Sequence, residues 1–569
     1  MASAIEDFRE IFGNSDSEGD DDFFGFDDVN LEEVDNLDIE DAEEEILEDP
    51  SVGASETPWL RDFVDRSGPR NICENVSEFD AFSLFFSDEV FALLVTETNR
   101  YAAQFMADNM DTLKVHSRAN NWKNVNTSEM RAFISILLVM GLSKKPSYES
   151  YWSSDPLIEC KGFKAIMSRD RFIQIMMFFH LNDNAKDFPK EDPRHDKLFK
   201  IRPLMTILVS GWQRHFQPDR EVSVDESMIA YKGRTGLLQY MPNKPHKWGI
   251  KSWGLADSRT GYMWNWQVYT GRQEGGRPHG LTYEVVTSLC QPLYGKGHHV
   301  YMDNFFTSPT LFQELSDNQT GACGTLRAYR LDVPQPVKDA RPKAGDDPHL
   351  FRDNEFLYIT WTDKRKVNLL TSVHNGSCFL KRVRSRSAPN NFREVRKPKA
   401  VQLYSQHMGG VDLADKQLQY YMVLHRCCKW WKKVFLYLME LSFNNALVIY
   451  KAAHPGKRVN SEKFRLVIAT KFLEGYERLG SGRPGRPAAN LERPARLTAR
   501  HFPGKTQEKT PKGKMSCNDC VVCSNRSARR HQTVFICKSC NVYMCPVPCF
   551  ERYHSLVNYK ITCYPGLHD

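Results

Sequence analysis

The spacing of apolar residues follows a helical period in the first part of the chain. Between residues 71 and 215, apolar positions recur every three or four residues, which predicts amphipathic helices. The clearest runs are Ser87–Met110, Thr127–Gly141 and Arg169–Phe179. Glycine commonly follows the last turn of a helix, so Gly141 is a candidate C-cap. A helical domain is therefore predicted to begin near residue 71.

Near Glu221 the period changes to the alternation that is typical of β-strands. The segment EVSVDESMIAY begins this region, and further strands are predicted at Gly249–Asp257, Trp264–Tyr269 and His298–Met302. A helix is predicted between them at Thr282–Leu293. Strands, a helix and then another strand indicate an α/β core.

The later segments differ from this core. Residues 331–400 are rich in proline and contain a candidate strand pair, Phe356–Asp363 and Lys366–His374, which indicates an inserted β-rich or irregular segment. Helical periodicity returns from Asp412 to Ala453. Its apolar run VFLYLMELSFNNALVIY is predicted to lie in a core shared with the helices before residue 220.

Charge is distributed unevenly along the 569 residues. The first 50 residues hold 21 acids and one base, so they carry −20, and the rest carries about +25. An acidic tail on a basic body favours a polyanionic partner such as nucleic acid. The tail is predicted to be disordered; its Phe and Leu residues are either solvated with it or dock on a partner.

The apolar stretches do not predict a membrane span. The two longest, Ala132–Leu142 and Val434–Tyr450, are respectively too short and interrupted by polar residues. The first residues have neither the basic nor the apolar region of a signal peptide, so secretion is not expected.

Cysteine spacing predicts a zinc-binding module near the C-terminus. Eight of the fifteen cysteines fall between Cys517 and Cys563, several of them as CxxC pairs, a spacing that suits tetrahedral zinc. Two sites need eight ligands, and the spacing supplies seven. The eighth is expected to be His531, with Cys517 and Cys563 as alternatives. The predicted set is Cys520, Cys523, His531, Cys537, Cys540, Cys545, Cys549 and His554.

Three aspartates occupy positions from which they can converge. Asp225 follows a short strand, Asp303 ends the apolar strand HHVYM, and Asp412 opens a helix. Strand ends and a helix start can meet at one edge of an α/β sheet. Carboxylate oxygens are ligands that Mg²⁺ prefers, and two such ions catalyse phosphoryl transfer. Taken singly, each aspartate is more often a cap or a surface residue than a catalyst.

The three aspartates lie within a set of longer sequence segments. In chain order they are VSVDESMIAYKGRTG, YMPNKPHKWGIKSWGLAD, VYMDNFFTSPTL, YSQHMGGVDLADKQLQYY and CCKWWKKVFLYLMELSFNNA, within about residues 85–450. In this order they resemble the piggyBac family of DDE transposases and the proteins derived from them. The cysteine cluster extends the resemblance to the C-terminus.

The resemblance implies a fold and an activity. It implies an RNase H-like α/β core interrupted by an insertion, with Asp225, Asp303 and Asp412 as catalytic ligands of two Mg²⁺ ions. Asp415 either assists metal binding, or it caps the helix or pairs with a basic residue. The implied protein is a nuclear homodimer that cuts DNA at TTAA sites and joins the excised element to a new TTAA. A domesticated DNA-binding protein that keeps the fold is the alternative.

The resemblance also gives roles to the basic, aromatic and zinc-binding segments. The cysteine-rich end is expected to form a cross-brace domain that binds the element's terminal repeats, the alternative being a protein-binding finger. One of the two adjacent tryptophans is expected near DNA and the other in the core. The candidate DNA contacts are Lys232, Arg234, Lys244, Lys247, Trp430 and Trp431, although the lysines and arginine also suit a solvated turn.

These observations together predict a division of the chain. The tail covers residues 1–70. The helical DNA-binding and dimerisation domain comprises 71–220 and 420–480, the catalytic core 221–330 and 401–419, and the insertion 331–400. A basic linker, 481–514, leads to the zinc domain, 515–569.

Overall fold

A computed structural model of the chain divides into two compact units, residues 1–478 and 479–569. The residues that it describes are 46–47, 61–109, 111–113, 117–242, 246–271, 278–363, 365–384, 392–423, 429–477, 501–524, 530–556 and 558–560. Each unit is described below by itself.

The larger unit is built around a nine-stranded mixed sheet, whose order is β7-β8-β9-β6-β5-β1-β3-β2, with β4 also paired to β3. Its strands, numbered in chain order, are β1 (Glu221–Ala230), β2 (Leu238–Tyr240), β3 (Trp248–Asp257), β4 (Met263–Val268), β5 (His299–Met302), β6 (Gly321–Thr325), β7 (His349–Asp353), β8 (Phe356–Thr362) and β9 (Lys366–Thr371).

The middle of this sheet combines antiparallel and parallel pairs. β1 and β4 each run antiparallel to β3, whereas β5 runs parallel to β1 and β6 runs parallel to β5. The parallel pairs need crossover connections, and helices supply them. The strands predicted at Gly249–Asp257 and His298–Met302 lie here, as β3 and β5.

The predicted insertion joins the same sheet instead of forming a separate layer. β9 pairs antiparallel with β6 through residues 369–371, and β8 and β7 continue the sheet outward. A further pair, Cys378–Arg384 with Phe392–Pro398, lies outside the nine strands, and the two-residue strand Ile46–Leu47 pairs with its first member.

Helices account for most of the remaining larger unit, together with 3₁₀ turns at Arg118–Asn121, Glu149–Trp152, Asn184–Lys186 and Gln291–Leu293. The described α-helices, including one in the smaller unit, are α1 (Glu78–Ser83), α2 (Asp88–Asn109), α3 (Thr127–Leu142), α4 (Lys161–Ile166), α5 (Arg169–Phe178), α6 (Arg202–His215), α7 (Leu281–Cys290), α8 (Pro309–Asp317), α9 (Gln335–Asp339), α10 (Lys399–His407), α11 (Gly410–Gln419), α12 (Trp430–Ala453), α13 (Ser461–Phe472) and α14 (Cys549–Ser555).

Helices from the two ends of the larger unit pack on one another. Every residue of α12 from Trp431 to Tyr450 is buried. Burying one large apolar side chain contributes about 1.5–3 kcal/mol, so this run anchors the unit. Hydrogen bonds join distant segments, as when the Ser135 hydroxyl donates to the Ala469 carbonyl at 2.8 Å. No helix in the described ranges combines the length and the apolar character needed to cross a bilayer.

Gly141 has a different role from the predicted C-cap. α3 continues to Leu142, and Gly141 is buried inside it. A Cβ atom at this position would lie 2.1 Å from the carbonyl oxygen of Tyr421. The glycine therefore allows the segment after α11 to approach the helix backbone closely.

The acidic tail is shorter than predicted. Residues 61–70 pack on the core: Gly68–Pro69 pairs with Phe216–Gln217, and the Arg61 guanidinium donates to the Gly295 carbonyl at 2.9 Å. Residues 61–70 therefore belong to the larger unit and not to a disordered tail. Apart from Ile46–Leu47, the tail lies outside the described residues.

The smaller unit is a compact arrangement of short strands and α14. The strands Pro503–Lys505, Phe535–Cys537 and Val542–Tyr543 form one sheet, and Asn518–Asp519 pairs with Gln532–Thr533. This unit includes residues 501–514, which were predicted to be linker. Residues 481–500 lie outside the described part of the chain.

Candidate active site and metal clusters

Strand register brings two of the predicted aspartates to neighbouring positions. Val224 on β1 is paired with Met302 on the parallel strand β5, and the next residue of each segment is an aspartate, Asp225 and Asp303. Both carboxylates accept hydrogen bonds from the main chain that follows them. The N–H of Glu226 donates to Asp225 at 2.7 Å, and the N–H of Phe305 donates to Asp303 at 2.9 Å.

Helix α11 bears the third aspartate, Asp412. It packs on β1 and β3, and a Cβ atom at Gly410 would lie 2.6 Å from the Ser223 hydroxyl. Only glycine fits this approach, because the helix backbone lies directly on the sheet. Asp412 is exposed two residues later. Asp415, one turn further along, accepts a hydrogen bond from the Tyr437 hydroxyl at 3.1 Å.

The electrostatics of Asp303 are those of a buried carboxyl. Burial raises the pKa of Asp303, the charge of nearby Glu226 raises it further, and the Phe305 N–H partly offsets both. An ionised carboxylate is poorly solvated in such a place, so a cation beside it is favoured.

Tyr404 on α10 lies beside the same aspartates. Burial raises the pKa of its hydroxyl to about 12, and the charges of Asp303 and Asp225 act in the same direction. Its hydroxyl lies 3.4 Å from that of Thr325 at the end of β6. The amino-acid sequence gives no local signal of this proximity, because Thr325 precedes Tyr404 by 79 residues.

Two arginines that the sequence analysis missed hold the turn after Asp303. Arg330 donates to the carbonyls of Asn304, at 3.0 Å, and Phe305. Arg327 donates to the Asn304 side-chain oxygen at 2.8 Å. Both belong to the segment GTLRAYR after β6, whose two bases three residues apart are the available sequence signal. They add positive charge beside the carboxylates.

The predicted basic contacts divide into described and undescribed positions. Lys232, Arg234 and Lys247 are exposed around the loops between β1 and β3, whereas Lys244 lies outside the described residues. Burial lowers the pKa of His246, and the charges of Lys433 and Lys232 lower it further. The loop therefore lies near Lys433 at the start of α12.

The adjacent tryptophans have different surroundings. Trp431 is only 8% exposed, and its ring lies 5.5 Å from that of buried His180. Trp430 is half-buried at the first position of α12. The structure therefore assigns Trp431 to the core and leaves Trp430 as the accessible member of the pair.

The smaller unit contains a four-cysteine cluster. The sulfur atoms of Cys520, Cys523, Cys545 and Cys549 all lie within 4.8 Å of one another. Those of Cys523 and Cys545 are 3.8 Å apart. Two thiolates on one tetrahedral zinc ion are expected to be about 3.8 Å apart, given Zn–S bonds of about 2.3 Å. The cluster therefore fits a structural zinc ion.

The second cluster contains a histidine that differs from the expected one. His501 joins Cys537, Cys540 and His554, and its Nδ1 lies 3.4 Å from the Cys537 sulfur and 3.3 Å from the Cys540 sulfur. His554 presents Nε2, 3.6 Å from Cys540, because its Nδ1 bonds the Phe550 carbonyl at 2.7 Å. The hydrogen bond to the Phe550 carbonyl fixes the orientation of the His554 ring, as similar bonds do in many zinc sites.

The three candidates for the eighth ligand are thus replaced by His501. His531 lies instead beside the first cluster, with its Nδ1 3.4 Å from the Cys545 sulfur, and Cys517 is exposed outside both clusters. Cys563 lies outside the described residues. Along the chain, members of the two clusters alternate, so neither half of the unit can close one cluster alone.

Comparisons with known proteins identify the family to which the larger unit belongs. A family model described as transposase IS4 matches residues 77–447, which include all four aspartates of the site. Human PiggyBac transposable element-derived protein 3 is 28% identical over 489 residues, covering 84% of this chain and 76% of the relative. The chain belongs to the piggyBac family of transposases.

Other piggyBac-family proteins are similar over most of the chain. Human PiggyBac transposable element-derived protein 2 is 28% identical and covers 74% of this chain, with 69% of its own length matched. Human PiggyBac transposable element-derived protein 5 is 26% identical, covering 75% of this chain and 83% of the relative. A piggyBac transposase in a synaptic complex with hairpin DNA has the same fold, with a TM-score of 0.62 at 22% identity, covering 84% of this chain and 99% of that one.

Proposed function

We propose that this piggyBac-family protein is a cut-and-paste DNA transposase that cleaves and joins DNA at TTAA sites. Asp225, Asp303 and Asp412 are its catalytic residues. The observation that supports the proposal is the register of β1 and β5, in which Asp225 and Asp303 follow a paired Val224 and Met302, together with the packing on β1 of the helix that bears Asp412. Converging carboxylates suit metal-dependent phosphoryl transfer.

We assign the core to the RNase H-like class. Strands β4, β3 and β1 form an antiparallel set, and β5 and β6 continue it in parallel on the other side of β1. Helices follow β4 and β5 in the chain. This order, with acids on the central strand and its parallel neighbour, supports the assignment, and β7–β9 are then the insertion.

The residues fit divalent cations. Hard Mg²⁺ prefers carboxylate oxygens, and Asp225, Asp303 and Asp412 offer them, with Asp415 one helical turn from Asp412. Burial raises the pKa of Asp303, so a cation beside its carboxylate is favoured. When bound, two Mg²⁺ ions would supply Lewis-acid stabilisation of charge on the reacting phosphate oxygens.

The chain's own cations bind and orient DNA in this proposal. Arg327 and Arg330 are fixed by hydrogen bonds to Asn304 and the following carbonyl, so they present charge beside the aspartates with little loss of conformational freedom. Lys232 and Arg234 are exposed after β1 and neutralise more distant phosphates. Trp430 is the member of its pair that is available for stacking on a base.

The smaller unit is assigned to recognition of the element's terminal repeats. Two Zn²⁺ ions, one in each cluster, hold it in a cross-brace, and the alternation of the two ligand sets supports this topology. Exposed Arg530 and Lys538 provide positive charge for DNA. Because zinc binding and folding are coupled in so small a unit, loss of zinc removes recognition.

The active assembly is proposed to be a nuclear homodimer. An element has two ends, and each needs a carboxylate cluster for cleavage, which favours two copies of the chain. The DNA substrate requires access to the nucleus. Light scattering of the protein bound to paired element ends tests the dimer, and a complex with one copy would contradict it.

A domesticated, non-catalytic DNA-binding protein is the second candidate. It is favoured by the names of the human relatives, which are transposable element-derived proteins. This candidate keeps DNA binding but predicts no strand cleavage.

An excision assay separates the two. A donor plasmid whose element is flanked by TTAA is incubated with the protein in Mg²⁺, and the matched control has both flanks scrambled. The transposase proposal predicts excision of the first donor and much less of the second, with none in EDTA. Binding without excision in Mg²⁺ would support the domesticated protein, and equal excision of both donors would refute TTAA selectivity.

A further inference from the structure

One exposed segment of the smaller unit carries three lysines on a folded backbone. Residues 507–515 are all exposed. The segment turns back on itself, because the Ser516 N–H donates to the Glu508 carbonyl at 2.8 Å. Residues 508–516 therefore form a β-hairpin that projects from the unit, and we call them the lysine hairpin.

The sequence at the tip explains the turn. The Gly513 N–H donates to the Thr510 carbonyl at 2.8 Å, which closes a four-residue turn with proline second and glycine fourth. Proline presets the second position of a β-turn, and glycine adopts the left-handed φ of 74° at Gly513 without strain. The Thr510 N–H also donates to the Lys514 carbonyl at 2.7 Å. The tip therefore has one preferred shape.

The base of the lysine hairpin is fixed to a sheet of the smaller unit. The Tyr543 hydroxyl lies 3.1 Å from the Thr506 hydroxyl, and it donates to the Glu508 carboxylate at 3.3 Å. Tyr543 belongs to the strand Val542–Tyr543. A projection that is held at its base and its tip loses little conformational freedom when it binds a partner.

The lysine hairpin carries positive charge without a counter-charge. Lys509, Lys512 and Lys514 are exposed, and in the described ranges none of them forms an ion pair or a side-chain hydrogen bond. Its sequence has one acid, Glu508, so three lysines and one glutamate give a net charge of +2. A lysine ammonium group binds phosphate as a point charge. Three such groups on a fixed projection therefore favour a polyanion.

The three lysines lie on different sides of the hairpin. Lys509 pairs with Met515 across the two strands, so these side chains share one face. Lys514 immediately precedes Met515 and lies on the opposite face, because side chains alternate along a strand. Lys512 lies at the tip. Charge on both faces matches a groove with phosphates on both walls, whereas a flat anionic surface would contact one face only.

We propose that the lysine hairpin enters the major groove of duplex DNA, with Lys509 and Lys514 on phosphates of opposite strands. Paired strands lie about 5 Å apart, so the hairpin fits the major groove, about 12 Å wide, and is too broad for the minor groove, about 6 Å wide. Phosphate contacts make this binding independent of base sequence. The contact rests on the proposed function only in taking DNA as the partner, and the transposase and the domesticated protein would both have it.

The salt dependence of DNA binding tests these charge contacts. Fluorescence anisotropy gives the affinity of the full chain for a random-sequence duplex of about 30 base pairs in about 50 to 200 mM KCl. Lys509→Gln and Lys514→Gln should each reduce the slope of log affinity against log salt concentration by about 0.9, because each removes one phosphate contact. Lys560→Gln, an exposed lysine of the same unit outside the hairpin, should keep the wild-type slope.

Two further measurements separate charge from structure. Arginine at both positions keeps the charge, so the Lys509→Arg, Lys514→Arg protein should keep the slope. Elemental analysis should find wild-type zinc in every variant, because the substituted side chains are exposed. Wild-type slopes in both glutamine variants would overturn the proposal and favour an acidic protein as the partner. An equal reduction in Lys560→Gln, or a reduction only with zinc loss, would also overturn it.

Cross-linking tests entry into the major groove. The iodine of 5-iodouracil lies in that groove, where thymine carries its methyl group, and Met515 is 48% exposed beside Lys509. Irradiating the full chain on a duplex with this base should cross-link the peptide that contains Met515, and cross-links confined to other peptides would overturn groove entry. Wild-type slopes in the glutamine variants together with TTAA excision would refute the hairpin contact alone. Reduced slopes without excision would refute the transposase activity alone.

Discussion

The carboxyl group of Asp303 lies half-buried where β5 ends, close to Glu226. Its pKa is raised mainly by burial, so the folded protein holds this proton more tightly than the unfolded chain does. Without metal, Asp303 therefore lowers stability as the pH rises from the usual aspartate value through the raised one.

This sign gives a prediction for Asp303→Asn in EDTA. The variant cannot ionise, so its melting temperature relative to wild type should rise across that pH window and stay constant above it. Exposed Asp412→Asn is the control and should change less. Differential scanning calorimetry between pH 3 and pH 8 measures both. If the melting temperature of Asp303→Asn minus that of wild type falls with increasing pH, burial does not raise the pKa of Asp303.

The sequence identified these aspartates but not the residues around them. Extended sequence motifs contain Asp225, Asp303 and Asp412. The pattern of apolar residues before Asp225 and Asp303 predicts strands. Tyr404 and Arg330 reach the same place only through long-range pairing of β1, β5 and β6. Local spacing carries no information about such contacts.

The elements of the smaller unit explain why one zinc ligand was misassigned. CxxC pairs are local, so they could be found by spacing. His501 precedes the first pair by 19 residues, and it reaches the second cluster because Pro503 pairs with Cys537 on an adjacent strand. His531 was predicted as the eighth zinc ligand and lies between the CxxC pairs in the sequence. In the structure its ring lies beside the four-cysteine cluster, which already has four ligands.

Zinc content distinguishes the two histidines. His501→Asn should lose about one of the two zinc ions and weaken binding to element ends, because the second cluster keeps only three ligands. His531→Asn should keep both ions. Elemental analysis of the purified full chain measures the ratio. Two ions in His501→Asn, or one in His531→Asn, would show that the ligand assignment is wrong.

A buried ion pair fastens α3 to α5 in the helical part of the larger unit. Arg171 donates to both oxygens of Glu129, at 2.7 and 2.6 Å, and their side chains are 12% and 1% exposed. Glu129→Gln leaves the guanidinium without its counter-charge, which should lower the free energy of unfolding by about 3 kcal/mol.

Asp192→Asn is the matched control for this substitution. Its partner Arg194 makes the same two-point contact, but the side chain of Arg194 is 69% exposed. An exposed pair contributes about 0–1 kcal/mol, so little change is expected. Urea unfolding curves compare the two variants. Equal losses of unfolding free energy in the two variants would mean that burial does not determine how much these ion pairs stabilise the fold.

At the scale of the whole molecule, charge is separated between the first 50 residues, at −20, and the remainder, at about +25. We predict that the tail competes with DNA for the basic surface. Deleting residues 1–60 keeps the packed segment 61–70 and should tighten non-specific DNA binding, most strongly at low salt.

The control for the deletion keeps the length of the tail and removes its charge. Replacing its acids with Asn and Gln in the full chain should give the same tighter binding, since the competition is electrostatic. Fluorescence anisotropy across a salt series measures all three proteins. Superimposable binding curves at the lowest salt would contradict autoinhibition by the tail.

The central claim is that Asp225, Asp303 and Asp412 form one metal-dependent site for cutting DNA. The most direct measurement is the rate of strand cleavage on a labelled element-end duplex in Mg²⁺, for each Asp→Asn variant and for Asp317→Asn, an exposed control at the end of α8. Each of the three should lose more than about 100-fold while still binding DNA, because an amide is a poorer Mg²⁺ ligand than a carboxylate, and the control should cleave like wild type. Near wild-type cleavage by any of the three would contradict the site.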